Sequence, residues 1–381
     1  MRSSHRTALA IAALITVVAG VVLALRWTGC PCSRTIARTP APDGESAPPA
    51  TAPAAPPPVV RLAGSPEEIG TQHGRKLVAG IRTMIREYVA GDLENGRLKA
   101  GVLARVRRMK PSLPGWFRRE LAACAGAAGV DEDVLLYAQC EGDIKSLGGC
   151  TTYVAFGPAT AGGAIEIGRN FDYWGLESTE RCARVFVTIP RAGDGHAFVS
   201  VGWSGILGGW TFYNEKGLFV ANNLGGFSER DPRGIPTLIL ERIVAQKAAT
   251  LEEAISLVKK LPRMRGQALI VGHAGDPASR TGPSAALLEY DGARVEVTPA
   301  ARGLAFHSSM GRTPGLVLNV LRRAGRKPYE AIRAAGGSIT LHSVAVRPGE
   351  GRIWVAHGAR SSAHLNDYVP YDLAKLFRRD P

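Results

Sequence analysis

The sequence predicts a layered α+β fold, mostly antiparallel sheets covered by helices, and three observations carry that reading. The first ninety residues of the folded part have helical periodicity. From Cys150 onward, short β-branched and aromatic runs recur between turn signals. Two helical patterns, Pro236 to Ala248 and Leu251 to Leu261, then separate one block of strands from the next. A chain of 381 residues that is 45% hydrophobic and 21% charged is long and apolar enough to bury a full core, which excludes disorder of the whole.

The elements can be justified in order. Arg2, His5 and Arg6 precede an uninterrupted apolar run from Ala8 to Leu25, the pattern of an export signal or an uncleaved membrane anchor. The positive end should stay cytoplasmic, which puts the remainder outside. Cys30 is a weak match to a lipidation site, because Trp27 stands where such a site prefers Leu. Residues 26–58 form a linker whose core, Thr39 to Pro58, is a Pro/Ala tether. The folded domain is expected from Val59 to the end, residues 59–381. Ser65-Pro66-Glu67-Glu68 reads as a capping box. Ile69, His73, Leu77, Ile81, Met84, Ile85 and Tyr88 then share one apolar face, which makes His73 a core histidine. A second helix leads into Leu121 to Ala128, and a third follows Gly129 with Asp131, Glu132 and Asp133 at its positive end.

At Cys150 the texture changes to a hairpin. Thr151 to Phe156 runs out, Gly157 to Gly163 turns, and Ala164 to Ile167 runs back. Further strands are expected at Arg184 to Ile189, Ala197 to Trp203, Thr211 to Tyr213, Leu218 to Ala221, Ala268 to Gly272, Ala285 to Tyr290, Arg294 to Thr298, Leu341 to Val346 and Arg352 to Val355. No internal repeat is evident.

Several function classes can be set aside. The balance of 47 Lys+Arg against 33 Asp+Glu gives +14, and the densest basic run, Lys99 to Arg119, interleaves Leu103, Val106, Met109, Leu113 and Phe117. That is an amphipathic surface segment with no nucleic-acid motif beside it, so no nucleic-acid partner is expected. The eight histidines are scattered without an HExxH, and no CxxC pair or phosphate-cradling glycine loop occurs. No metal and no cofactor are expected.

Gly149-Cys150-Thr151 taken alone is a small-residue run meeting a strand, where a buried structural cysteine is the default. Its surroundings move the reading. Gly168-Arg169-Asn170-Phe171-Asp172-Tyr173 lies on the return strand of the same hairpin, which brings Arg169 and Asp172 towards the cysteine end. Asn214-Glu215-Lys216-Gly217-Leu218 leads into Asn222-Asn223, amides that could face a developing oxyanion. The alternative keeps Arg169 with Asp172 as a salt bridge and the asparagines as turn residues. Trp203, Trp210, Phe212 and Phe219 are candidates for pocket lining or for core, and core is favoured for most.

With these motifs in hand, and with Gly64-Ser65-Pro66-Glu67-Glu68-Ile69-Gly70, His73-Gly74, His342-Ser343-Val344 and Trp354-Val355-Ala356-His357-Gly358, the chain resembles the N-terminal-nucleophile hydrolases of the isopenicillin N acyltransferase type, relatives of choloylglycine hydrolases. The resemblance runs from Leu62 to Gly358. It implies a four-layer αββα sandwich and an inactive precursor. A self-inflicted cut at Gly149–Cys150 would leave an α chain, 59–149, and a β chain, 150–381. It further implies that Cys150 is the nucleophile of an amidase or acyltransferase and that Asp172 holds or orients its amine. Arg169 would position Asp172 or the thiolate, and Asn223, with Asn222 as its competitor, would donate to the oxyanion. His307, in Leu304-Ala305-Phe306-His307-Ser308-Ser309, stands where relatives have a second active-site asparagine, and Arg312 resembles a late active-site arginine. The expected partners are a small-molecule or lipid-like amide and, through the N-terminal segment, a membrane. A phospholipase B-like ester hydrolase and an idle tethered binding protein are the alternatives.

Overall fold

The computed structural model describes residues 57–379 other than 95, 146–147, 174–176, 277, 279 and 359–361. The apolar run Ala8 to Leu25, Cys30, Cys32 and the tether as far as residue 56 lie outside the described residues. Among the described residues no helix is long and apolar enough to cross a membrane, and no group of residues suits a metal ion.

The helical part comes first. Strand β1 (Val59–Gly64) is followed by helix α1 (Pro66–Met84), which starts on the expected capping box, Ser65 Oγ accepting from Glu68 N while the Glu68 carboxylate accepts from Ser65 N. Helices α2 (Ala90–Leu93), α3 (Gly96–Met109), α4 (Gly115–Ala128) and α5 (Glu132–Lys145) complete it. Val106, Met109, Leu113 and Phe117 of the basic segment are buried, so its cations sit on the outer side of an amphipathic pair of helices.

The hairpin forms as expected, β2 (Gly149–Gly157) against β3 (Gly163–Asp172), with Cys150 already inside the first strand. After the short helix α6 (Glu177–Cys182) come β4 (Ala183–Pro190), β5 (Phe198–Trp203), β6 (Thr211–Asn214) and β7 (Leu218–Asn223). Helices α7 (Thr237–Lys247) and α8 (Leu251–Lys260) precede β8 (Gln267–His273), β9 (Ser284–Tyr290), β10 (Val295–Pro299) and β11 (Leu304–Ser308). Helices α9 (Pro314–Leu321) and α10 (Glu330–Ala334), strands β12 (Thr340–Arg347), β13 (Arg352–His357) and β14 (Val369–Asp372), and α11 (Leu373–Phe377) close the chain.

Two sheets result, one of eight strands in the order β1-β4-β5-β6-β7-β8-β9-β10 and one of six in the order β11-β2-β3-β12-β13-β14. Strand alternation sorts their side chains into three cores. Val154, Ile165 and Ile167 of the small sheet meet Val185, Val187, Val199, Val201, Phe219 and Ala221 of the large one. Phe186, Phe198, Phe212 and Val220, on the other face of the large sheet, pack under the helices of the first half and α7. Tyr153 and Ala155, on the outer face of the small sheet, pack under α9 and α10. Helix, sheet, sheet, helix is the αββα sandwich. The sheets are mostly antiparallel, as expected, with β1 pairing β4 in parallel; the chain crosses the whole helical half between them, which a tight hairpin cannot do.

Candidate active site

Register decides who meets Cys150. Its strand runs beside β3 with Cys150 opposite Phe171, Thr152 opposite Arg169 and Gly149 opposite Asp172. Side chains of a strand alternate, so Cys150 and Thr152 point the same way as Val154, into the space between the sheets, as does Arg169 on its own strand. Asp172, three residues on, points to the opposite face. The Arg169–Asp172 salt bridge weighed from the sequence accordingly does not form: Arg169 is fully buried and donates to Asn170 O at 2.8 Å, Thr152 Oγ1 at 3.4 Å and Asn222 Oδ1 at 3.4 Å. Asp172 takes its hydrogen bond from Thr340 Oγ1, its register partner on β12.

Cys150 is buried and free of any disulfide, like Cys124, Cys140 and Cys182. Burial pushes its thiol up; the Arg169 guanidinium pulls it back by charge and hydrogen bond, the Asp172 charge pushes it up, and the Asp172 backbone N–H favours the thiolate. Burial also raises the Asp172 carboxyl, against the Thr340 hydrogen bond and the charges of Arg169 and Arg312. Arg169 is thus the group that favours a thiolate here.

The backbone of Cys150 is held from the other side. Its N–H donates to Ser309 Oγ at 2.9 Å, and its carbonyl accepts from Ser309 N at 3.0 Å. Ser309 follows β11, which pairs with β2 so that His307 faces Thr152 and Ser308 faces Thr151. Sequence reading singled out His307 in this segment and passed over Ser309. Its partner lies 159 residues away, so only the pairing of β11 could have disclosed it. Gly149 is also constrained: a Cβ there would come within 2.2 Å of Met310 Sδ. Gly148, at φ +94°, sits in the region that favours glycine, against the Tyr173 ring.

The two asparagines end β7. Asn223 is fully buried; its Oδ1 accepts from Thr152 Oγ1 at 3.1 Å and its Nδ2 has no partner. Asn222 presents Oδ1 to Arg169 and lines the cavity beside Cys150. His307 is half-buried with Nδ1 unpaired, its imidazole held towards the neutral form by burial and by Arg169. Arg312 donates to Gly336 O at 2.8 Å and is near enough to bias Asp172.

The cavity at Cys150 measures about 40 Å³ and is bordered by Gly149, Phe171, Asp172, Trp210, Asn222 and Leu238 among others. That is room for a few waters, not an acyl chain. Trp210 therefore lines the site, while Phe212 and Phe219 are core, as favoured from the sequence. Trp203 packs behind, its ring centroid 4.6 Å from that of Trp210 and the two planes inclined at 58°. Glu141 lies farther back, accepting from Tyr88 Oη at 2.7 Å and Tyr173 Oη at 3.0 Å.

Comparison with known proteins gives a family match over part of this site. Residues 160–284 match the family model described as acyl-coenzyme A:6-aminopenicillanic acid acyl-transferase; the stretch contains Arg169, Asp172, Asn222 and Asn223 and begins after Cys150. An uncharacterized protein of Archaeoglobus fulgidus is 29% identical over 248 residues, 56% of this chain and 41% of that protein, so the chain spans about two fifths of the length of this relative. Solved structures are similar at low identity. A Caenorhabditis elegans N-acylethanolamine-hydrolyzing acid amidase ortholog shares 16% identity over 52% of this chain and 93% of its own, with a TM-score of 0.40. A mutant conjugated bile acid hydrolase from Clostridium perfringens shares 13% over 61% and 95%, at 0.41. Penicillin V acylase from Agrobacterium tumefaciens shares 15% over 59% and 87%, at 0.38.

Proposed function

We propose, on the strength of the match of residues 160–284 to the acyl-coenzyme A:6-aminopenicillanic acid acyl-transferase family model, that this chain is the precursor of an amide-cleaving acyl-transfer enzyme whose nucleophile is Cys150. The observation that carries the reading is the state of the Gly149–Cys150 bond. It opens a strand, its thiol lies in the field of the Arg169 guanidinium, and its nitrogen is held by Ser309 Oγ.

In the first step the thiol attacks the Gly149 carbonyl, the Cys150 nitrogen leaves as a free α-amine carrying the thiol proton, and hydrolysis of the resulting thioester releases the Gly149 carboxylate and restores the Cys150 thiol. An amide nitrogen is not a useful base, whereas an α-amine titrates near 7.7. Cutting therefore makes the general base, and Ser309 already holds that nitrogen beside the thiol. In turnover the amine takes the thiol proton, the sulfur attacks a carboxamide, and the proton passes to the departing amine. The acyl group then leaves Cys150 for water or for an amine. Asn223 Nδ2, buried without an acceptor, is the donor assigned to the oxyanion; an unpaired buried donor costs stability in the resting chain and is repaid when a charged oxygen arrives. The substrate is read as a small-molecule or lipid-like amide. Basic start, apolar run and Pro/Ala tether support an extracytoplasmic enzyme anchored at a membrane through residues 8–25.

Intact-mass measurement of the purified protein tests the cut, with a second chain beginning at Cys150 as the expected result. Paired amide and ester substrates test the chemistry. A single uncut chain that is fully active would overturn the mechanism, and hydrolysis of the ester alone would turn it into a lipid esterase.

A further inference from the structure

Behind the cysteine lies a buried acid that the mechanism above does not use. Glu241, on α7, is 0% exposed, and neither carboxyl oxygen has a hydrogen-bond partner. Thr237, one helical turn earlier on the same face, is taken up by Asp143, whose carboxylate accepts from its backbone N–H at 3.1 Å and from its hydroxyl. The groups around Glu241 come from four other elements. Arg169 on β3 attracts its negative charge, Asp143 at the end of α5 opposes it, the Tyr290 phenol on β9 is pushed up by burial and by the Glu241 charge and has its hydroxyl unpaired, and the Asn222 backbone N–H on β7 faces Glu241 without completing a hydrogen bond.

A fully buried carboxylate with no protein partner is the form such a site disfavours, so the neutral acid fits it. Burial pushes the Glu241 carboxyl well up. In the same neighbourhood Arg169 has an equally buried Nε without an acceptor, while its Nη2 reaches Asn222. Two unpaired donors, Arg169 Nε and Tyr290 Oη, and one unpaired acid thus share this neighbourhood, and the first donor belongs to the cation that favours the Cys150 thiolate.

We propose that Glu241 is a positioning residue for Arg169: protonated, it leaves the guanidinium to Cys150, and ionised, it draws the guanidinium towards itself. It does not line the cavity and acts only through Arg169. The proposal rests on Cys150 being the nucleophile, and its test separates the two ideas.

The experiment compares the purified full chain with Glu241→Gln, which cannot ionise, across pH. In the wild type, kcat should fall on the alkaline side as Glu241 ionises; the variant should lack that limb and run several-fold faster there, with KM unchanged. The alkylation rate of Cys150 by iodoacetamide, read by peptide mass mapping, should show the same difference without any substrate. Glu241→Met, apolar and of similar length, should behave like the glutamine variant and serves if that one fails to fold. Superimposable alkylation profiles in wild type and variants would overturn the proposal, as would a change confined to KM. Shifted alkylation profiles in a chain that turns over no amide would sustain it and sink the amidase reading instead.

Discussion

At the scale of single residues, everything proposed for Cys150 depends on two separable jobs. Cutting needs an attacking atom against the Gly149 carbonyl; turnover needs one reactive near neutrality once the amine is free. Cys150→Ala should lose both, giving one uncut chain by mass and no amide hydrolysis. Cys150→Ser should cut slowly and turn over poorly, because a hydroxyl is the weaker nucleophile. Asn223→Ala should leave the cut chain folded and lower kcat by on the order of a hundredfold or more, measured at saturating amide. An equal loss in Asn222→Ala with none in Asn223→Ala would move the oxyanion donor to the residue that borders the cavity. Gly149→Ala tests a constraint the residue type alone does not disclose. The added methyl meets Met310 Sδ, and overpacking of this kind costs about 1–3 kcal/mol. The expected readout is a lower urea midpoint together with slowed cutting, both relieved by Met310→Ala.

At the scale of elements, much was legible because each signal was local. The capping box at Ser65 and the apolar stripe from Ile69 to Tyr88 declared α1, and the alternation after Cys150 declared the hairpin whose register delivers Arg169. Strand β11 was not legible. Leu304–Ser308 shows no clean alternation, its residues are only partly buried apart from Ala305, and it becomes a strand by adding to the edge of β2. Ser309 was hidden with it. The pleat was also readable in principle: a step of three residues from Arg169 to Asp172 puts them on opposite faces, which is why the pairing weighed from their proximity in sequence is absent. The expectation of a core histidine on α1 does hold. His73 Nε2 accepts from Gly205 N at 2.9 Å, its ring stacks 5.0 Å from Phe186, and burial depresses its pKa to about 3. Folded His73 is therefore neutral while unfolded His73 protonates near 6.5. The sign follows: its stabilising effect is whole above that value and is lost as pH falls towards 3, at roughly 1.4 kcal/mol per pH unit. His73→Gln keeps an acceptor for Gly205 and removes the titration. Urea midpoints from pH 7 to 4 should fall more steeply for wild type than for the variant, and parallel curves would contradict this.

At the scale of the whole molecule, the cut would fall between two halves that share one core. Helices α1, α4 and α5 before the junction pack with Phe186, Phe198, Phe212 and α7 after it. Polar contacts cross it as well. Gln139 Oε1 accepts from Leu207 N at 2.8 Å and Gly208 N at 3.1 Å, and the Arg242 guanidinium meets the Glu120 carboxylate at 3.0 Å, both side chains nearly inaccessible. Arg242 also lies 4.4 Å from the centre of the Phe198 ring. Breaking one backbone bond leaves all of these in place, so the two chains of a cut protein should co-elute on a sizing column and separate only in denaturant. The ion pair gives that expectation a magnitude. Removing one member of a buried pair strands the other charge and costs about 3–5 kcal/mol, whereas replacing both with apolar groups is often neutral. Arg242→Met should therefore lower the urea concentration at which the chains part, and adding Glu120→Leu should restore much of the loss. Chains that separate in native buffer, or a double variant no better than the single one, would mean that the halves are not held by the core that the uncut fold displays.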